Sequence, residues 1–394
     1  MTDRLAISFW IWGLYNTTPN GFFDNFEGRM VELKERGFNC IRFDAGTGLC
    51  HDAQGRPRGE LSFQESLPGY ARFTRQMERF LAGRCDPLKR LIEVCTLAKR
   101  YQVKVILSSW YYLHTFWFTD EAINKELMGL PPEKRFMHFA VALDRILAEL
   151  EQRDLQDAIA FAEVFNEADG LTFLGGYGEK KQPQAELNMH RQWHEEALEY
   201  LKVRHPEVRF ALDTYTPFVN PEQIPRNMQV WNFHSYYLWS VYDVFERKVT
   251  WGTESDEPLV EEPIRRFLRR DLVPFKVIRA SRGDRPLIAE DWYRRVWLYR
   301  NLDPAGMPEL ERMLLENLEQ NVATFKKKAE DSIAQAVKVR DQYFPGIPLV
   351  LGEGASYCAD LRLRWEERSD AYWDVVEHAA RTCRKLGLWG TVAR

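Results

Sequence analysis

The chain has 394 residues, with 54 Lys and Arg against 58 Asp and Glu, and a formal net charge of −4. Its length is near the upper size of a single α/β barrel domain with insertions. It has no basic stripe of the kind that nucleic-acid binders carry, so we expect no nucleic-acid partner. Its first apolar run, 7–15, is too short to span a membrane, and no signal-peptide pattern precedes it. We therefore expect a cytoplasmic protein without a membrane partner.

The six cysteines form no CxxC pair, which argues against a zinc site. We expect reduced, mostly buried thiols, and neither a metal nor another cofactor. The residues concerned are Cys40, Cys50, Cys85, Cys95, Cys358 and Cys383.

Short apolar runs alternate with longer helical patterns along most of the chain. This alternation is typical of parallel strands joined by crossover helices. Eight such strands favour closure into a (β/α)8 TIM barrel as one domain over 1–394. The predicted strands are 5–12, 39–44, 103–110, 159–167, 209–215, 229–236, 348–353 and 386–392.

Roughly a hundred residues separate the sixth and seventh predicted strands, far more than an ordinary crossover needs. We treat 238–346 as an insertion. Its first part, 238–303, mixes aromatic, Arg and acidic residues and predicts an elaborated loop over the barrel mouth. Its last part, Pro308 to Tyr343, predicts one long charged helix.

The sequence leaves no obvious room for a helix after the eighth predicted strand. An apolar stripe on the outer wall of a barrel is usually buried by an insertion or a partner. We therefore expect a possible homodimer that uses the surface near Leu386 to Val392.

Two predicted strands end in glutamate: Phe161-Ala-Glu-Val-Phe-Asn-Glu167 and Leu349-Val-Leu-Gly-Glu353. A single strand-end Glu is more often solvated or salt-bridged. Two of them on strands four and seven would face each other at the carboxyl-terminal mouth, where TIM-barrel enzymes keep their active sites. Paired carboxyl groups are what glycoside hydrolysis needs, and a separation of about 5–5.5 Å gives retention of configuration.

With these motifs the chain resembles the clan A glycoside hydrolases, and most of all the cellulase-like family 5 group. That family has a Glu three positions before an Asn-Glu pair on strand four, His-x-Tyr on strand six and Gly-Glu on strand seven. It also has an Arg on strand two and a Trp on strand eight. The matching residues are Glu163, Asn166 and Glu167, His234 and Tyr236, Gly352 and Glu353, Arg42, and Trp389.

The resemblance implies that Glu167 is the acid/base and Glu353 the nucleophile. Asn166 would hold the sugar 2-hydroxyl, and Trp389 would form the floor of the sugar site. Tyr236 would hydrogen-bond Glu353.

The resemblance further implies that Arg42 lowers the pKa of Glu353 and that His234 orients the substrate or a carboxylate. Glu163 would be either a structural carboxylate inside the barrel or a group that tunes Glu167. Two positions depart from the family: Ala168 stands where a Pro is common, and Trp110 follows two serines where strand three usually has a His. Trp110 either replaces that His as a wall of the sugar site or packs in the core.

The sequence thus predicts a retaining glycoside hydrolase that cleaves β-glycosidic bonds of small oligosaccharides or glycosides by double displacement. The long insertion would narrow the mouth and favour exo action. A transglycosylase using the same carboxylates is one alternative, a non-catalytic sugar-binding protein of this fold is a second, and an unrelated barrel enzyme is a third.

Overall fold

The computed structural model describes residues 4–15, 23–63, 83–111, 121–169, 184–251, 257–280, 297–355 and 363–392. Eight parallel strands close into a barrel in the order β1–β8–β7–β6–β5–β4–β3–β2, which confirms the predicted TIM-barrel fold. The barrel strands are β1 Leu5–Phe9, β2 Cys40–Asp44, β3 Lys104–Ser108, β4 Ile159–Glu163, β5 Phe210–Thr214, β6 Val230–Ser235, β7 Leu349–Gly354 and β8 Gly390–Val392.

Helices surround this barrel and fill the insertion between β6 and β7. Two short antiparallel pairs lie outside it, Leu61–Phe63 with Gly83–Cys85 and Val249–Thr250 with Leu259–Val260. The helices are α1 Phe26–Glu35, α2 Pro87–Arg100, α3 Glu121–Met128, α4 Pro132–Glu151, α5 Gln184–Arg204, α6 Asp243–Glu246, α7 Phe275–Ala280, α8 Met307–Gln320, α9 Val322–Tyr343, α10 Trp365–Arg368 and α11 Asp370–Lys385.

Helix α2 illustrates how the sequence defines these outer elements. The side chain of Asp86 caps the helix by accepting a hydrogen bond from the Lys89 main-chain N–H, and Pro87 occupies the first turn. Apolar residues at helical spacing then bury one face of the helix: Leu88, Leu91, Val94, Cys95 and Ala98.

Two expectations about the chemistry of the chain can be compared with the described residues. The five cysteines among them, Cys40, Cys50, Cys85, Cys95 and Cys383, are buried free thiols, and Cys358 lies outside this part. Within the same residues, no helix combines the length and the apolar character that a bilayer crossing requires.

The barrel interior has an apolar layer toward the amino ends of the strands and a polar layer above it. The lower layer includes Ile7, Cys40, Ile106, Phe161, Ala211, Val230 and Val350. Side chains alternate between the two faces of a strand, so the residues two positions later also point inward. In five of the strands these are polar and fully buried: Arg42, Ser108, Glu163, Asp213 and Asn232.

In β7 the corresponding position is Gly352, and there the strand is irregular. Leu351 pairs with Phe233, whereas Glu353 pairs with His234, so Gly352 is an extra residue in the ladder with β6. Such a bulge redirects the side chains that follow it. A Cβ at position 352 would lie 2.1 Å from Oδ1 of Asn232, so the position requires glycine.

The predicted single helix over Pro308 to Tyr343 is wrong, because the segment forms two helices, α8 and α9, that meet at Asn321. Asn321 has φ −121° and ψ 16°, outside the helical region, and its amide donates to the main-chain oxygen of Asn317 at 2.8 Å. Asparagine commonly interrupts helices in this way because its side chain competes for main-chain hydrogen bonds.

The eighth strand also begins later than the predicted range. Helix α11 runs to Lys385, and Gly387 with φ +76° ends it in the left-handed conformation that suits glycine. The chain therefore enters β8 only at Gly390, and among the residues described no helix follows this strand. Leu388 is buried by its own chain, and a dimer at this surface stays a prediction.

Replacement of Gly352 by Ala should destabilise the barrel, because the new methyl group would overlap the Asn232 amide that the polar layer holds in place. Overpacking of this kind costs about 1–3 kcal/mol. Thermal and denaturant unfolding would measure the loss. Gly354→Ala is the matched control on the same strand, because its Cβ would lie 3.3 Å from the Ser235 oxygen and should cost less. Equal stability of the two variants would contradict the role given to Gly352.

Candidate active site

The carboxyl ends of β4 and β7 bring Glu167 and Glu353 together inside the barrel mouth. They are 5% and 4% exposed. One oxygen of each carboxyl group and one ring nitrogen of His234 all lie within 4.8 Å of one another. Two carboxyl groups in contact distance of the same imidazole form a compact acidic pair with little access to water.

Glu167 lies in a turn that follows β4, not on the strand as predicted. Its φ is +53°, a left-handed conformation that side-chain-bearing residues rarely adopt. Its main-chain N–H donates to Oδ1 of Asp213 at 2.6 Å, and the next N–H, of Ala168, donates to the Asp213 main-chain oxygen at 3.0 Å. These two bonds hold the strained turn, a feature common at functional sites.

Glu353 follows the bulge at Gly352 and receives a hydrogen bond at each oxygen. The Tyr236 hydroxyl donates to Oε2 at 2.6 Å, and the Arg42 guanidinium forms an ion pair with Oε1. The Tyr236 contact is the one that the resemblance implied. Glu353 is thus held by one charged and one neutral hydrogen-bond donor.

Arg42 is fully buried and connects most of the polar layer. Its Nη2 atom lies within hydrogen-bond distance of three acceptors, Oε2 of Glu163 at 2.9 Å, Oδ2 of Asp213 at 3.0 Å and Oδ1 of Asn166 at 2.6 Å, which share its two hydrogens. Burial by itself lowers the pKa of Arg42, but three surrounding carboxylates outweigh it and raise the pKa. The guanidinium therefore stays charged inside the barrel.

His234 lies between two carboxyl groups. Its Nδ1 is 2.9 Å from Oε1 of Glu167, and its Nε2 is 3.0 Å from Oδ2 of Asp213 and 3.6 Å from Oε1 of Glu353. Burial lowers the pKa of His234, but the charges of Asp213 and Glu353 and its hydrogen bonds raise it well above the usual value. The ring is therefore a second buried cation.

The environment of Glu167 suits a proton donor. Burial raises its pKa to about 6, even though the hydrogen bond and charge of His234 act in the opposite direction. A carboxyl group with this pKa holds a proton through the mildly acidic range and can release it to a basic oxygen.

Glu167, His234 and Glu353 also have the composition of a possible metal site. Both ring nitrogens of His234 already face carboxylates, and Arg42 already neutralises Glu353. A histidine ligates a metal in its neutral form, whereas the carboxylates beside both nitrogens of this ring favour its charged form. The local charges therefore favour an acid/base pair.

The structure brings most of the predicted site residues together. Arg42, Asn166, His234 and Tyr236 all contact the two glutamates or each other. Trp110 is 6% exposed, and its ring centroid lies 5.8 Å from the Arg42 guanidinium carbon. Glu163 lies inside the barrel, as expected.

The expectation that Trp389 forms a sugar floor beside the glutamates is wrong. Its main-chain N–H donates to Leu349 and its oxygen accepts from Leu5, both at 2.8 Å, and both residues begin their strands. Its ring packs 5.8 Å from that of Phe161 in the lower apolar layer. Trp389 precedes β8 because α11 and its capping turn extend to Leu388, which places the Trp at the amino end of the barrel.

Asp213 and Asn232 belong to the site but were not predicted from the sequence. Asn232 donates to Oε1 of Glu163 at 2.6 Å and to Oδ2 of Asp213 at 2.7 Å. The signal was present: each is a polar residue at an inward position of an otherwise apolar strand, where such residues are rare unless paired.

Arg42→Met should destabilise the protein by about 3–5 kcal/mol at neutral pH, because it leaves three buried carboxylates without their counter-charge. The loss should shrink as the pH falls toward 4 and these groups take up protons. Denaturant unfolding at several pH values would measure it. Arg84→Met, which removes an exposed pair with Glu60, is the control and should lose little. A pH-independent loss would contradict the electrostatic explanation.

No protein-family model and no curated protein matches the sequence. Solved structures do match. A putative glycoside hydrolase from Parabacteroides distasonis is 18% identical with a TM-score of 0.63, over 99% of this chain and 87% of the other. A GH5-4 broad specificity endoglucanase from Bacteroides salanitronis is 13% identical with a TM-score of 0.50, over 99% and 83%. The resemblance to cellulase-like family 5 glycoside hydrolases is thus confirmed for the fold.

Proposed function

We propose that this protein is a retaining glycoside hydrolase with Glu167 as acid/base and Glu353 as nucleophile. The observation that carries the proposal is the buried carboxyl pair at the ends of β4 and β7, with atoms within 4.8 Å of each other. Inverting enzymes keep their carboxyl groups about 6.5–9.5 Å apart to admit a water, whereas retaining enzymes use about 5–5.5 Å.

In the first step Glu353 attacks the anomeric carbon while Glu167 gives its proton to the glycosidic oxygen, so that the alcohol leaves and a glycosyl ester forms on Glu353. In the second step Glu167, now a carboxylate, takes a proton from water. The water oxygen attacks the anomeric carbon, and Glu353 leaves as a carboxylate. A second sugar hydroxyl in place of water would make the enzyme a transglycosylase.

The different surroundings of the two glutamates support these roles. Glu353 contacts the cationic Arg42 and the Tyr236 hydroxyl, which suits an ionised nucleophile. Glu167 is buried with a raised pKa, which suits a proton donor. Asn166, adjacent to Glu167, is the candidate ligand of the sugar 2-hydroxyl.

We infer that the substrates are β-linked small oligosaccharides or glycosides attacked from one end. The insertion begins directly after Tyr236, and the Trp239 ring packs 5.7 Å from the Tyr236 ring. Trp239 thus packs against a residue that bonds Glu353, and we expect this part of the insertion to close one end of the sugar site. A second candidate function, sugar binding without catalysis, does not require two buried carboxyl groups this close together.

A screen of aryl β-glycosides, namely glucoside, galactoside, mannoside, xyloside and fucoside, tests the activity and the sugar. Glu353→Ala should lower kcat/KM more than about a thousandfold, because it removes the group that forms the covalent bond. Glu167→Ala should keep its first step on dinitrophenyl glycosides, whose leaving group needs no proton. NMR of the first product should show the starting anomeric configuration. Inverted product, or full activity in Glu353→Ala, would contradict the mechanism.

The kcat/KM for a nitrophenyl glycoside should fall as the pH rises through about 6, because the proton that Glu167 must donate is lost there. The acid form is present below this value and absent above it, so the decline belongs to the alkaline side. The dinitrophenyl glycoside of the same sugar is the control, and its kcat/KM should not decline in this range. An identical decline for both substrates would assign the titration to another group.

A further inference from the structure

Asp213 makes contacts that the proposed roles do not use. Its Oδ1 accepts the Glu167 main-chain N–H at 2.6 Å, and its main-chain oxygen accepts the Ala168 N–H at 3.0 Å. Both bonds hold the turn in which Glu167 has φ +53°. One fully buried residue of β5 thus fixes the backbone of a residue that follows β4.

The other carboxyl oxygen of Asp213 reaches the far end of Glu167 through His234. Oδ2 lies 3.0 Å from Nε2 of His234, and Nδ1 of the same ring lies 2.9 Å from Oε1 of Glu167. A carboxylate on Nε2 fixes a proton there. In a cationic ring Nδ1 also carries a proton and donates it to Oε1 of Glu167, and this hydrogen bond is strongest when Glu167 is ionised.

We propose that Asp213 is the positioning residue of Glu167, holding its backbone directly and controlling the protonation of its carboxyl group through the His234 ring. This inference rests on the proposed function, in which Glu167 is first an acid and then a base. An imidazolium at 2.9 Å stabilises the carboxylate form that the second step requires, and the negative charge of Asp213 keeps the ring cationic.

The sign of the effect follows from the groups that face each partner. His234 is faced by Asp213, Glu167, Glu353 and the Tyr236 hydroxyl. Glu167 is faced by His234, Tyr236, Glu353, Asp213 and the half-buried Asp169. Burial is the largest cause that raises the pKa of Glu167, and the hydrogen bond and charge of His234 are the largest causes that lower it.

Loss of the Asp213 charge would make His234 lose its proton more easily. The pKa of Glu167 should then rise further. The direct repulsion between Asp213 and Glu167, which acts the other way, is a smaller cause.

Asp213→Asn tests this, with Glu163→Gln as the matched control. Glu163 is equally buried and bonds the same Arg42 and Asn232, at 2.9 and 2.6 Å. Its hydrogen bonds to described residues do not include Glu167 or His234. Both substitutions place an amide against Arg42 and Asn232, so the loss that comes from these shared contacts should be similar in the two variants.

In Asp213→Asn the alkaline side of the kcat/KM profile should move up by about one pH unit. Its kcat should fall roughly 10- to 100-fold through misplacement of Glu167. Dinitrophenyl glycosides should give a burst of phenolate, since release of the covalent sugar becomes slow. Glu163→Gln should keep the wild-type alkaline limb and show no burst. Equal loss of activity in both variants with unchanged profiles would overturn the proposal.

A second measurement covers an Asp213→Asn chain that fails to fold. The ¹⁵N spectrum of the histidine rings in the wild-type protein reports their protonation directly, and His234→Gln assigns the signal. We expect protons on both ring nitrogens of His234 at pH 7, and a neutral ring would overturn the proposal. This readout needs no substrate. A wild-type protein that hydrolyses none of the glycosides but has a cationic His234 would therefore refute the proposed function and leave the Asp213–His234 pair in place.

Discussion

The architecture of the barrel mouth depends on one buried cation, Arg42. Removal of a guanidinium from water is costly unless its donors meet charged or polar acceptors. Here those acceptors come from β4, β5 and β7 and from the turn after β4: Glu163, Asp213, Glu353 and Asn166. A planar group with five donors can serve several acceptors at once, which a lysine could not do in the same geometry. Arg42 thereby ties β2 to the opposite side of the barrel.

The charges around Glu167 differ from those around Glu353. Two cations, Arg42 and His234, face four carboxyl groups in a space with little water. The two carboxyl groups whose pKa is raised by burial are Glu163 and Glu167, whereas the pKa of Asp213 is lowered by His234 and Arg42 against its burial. Under the proposed mechanism Glu167 is therefore the proton donor, and Glu353 is the carboxyl group that pairs with the Arg42 guanidinium.

Both glutamates stand at irregular points of the backbone. Glu353 follows a bulge that only glycine permits, because the Asn232 amide fills the space of a side chain at position 352. Glu167 has a positive φ that the carboxylate and main-chain oxygen of Asp213 stabilise. Each irregularity is supported by the polar layer, so the same buried hydrogen bonds that stabilise the barrel also aim the reactive groups.

The sequence by itself determined the eight strands and the residues at their carboxyl ends. Alternation of apolar runs with amphipathic segments is a local property, and parallel strands in a closed barrel bring their ends to one rim. Glu167 and Glu353 could therefore be placed together from the strand pattern, and the family resemblance added Arg42, His234 and Tyr236. Only the tertiary structure decided where each strand begins and ends and which of its residues point into the barrel. Trp389 lies at the amino end of the barrel because α11 and the turn at Gly387 delay the start of β8. The contact between Asp213 and Glu167 forms only because β5 lies beside β4 in the closed barrel. Register and closure depend on contacts between residues far apart in the chain, which no local pattern encodes.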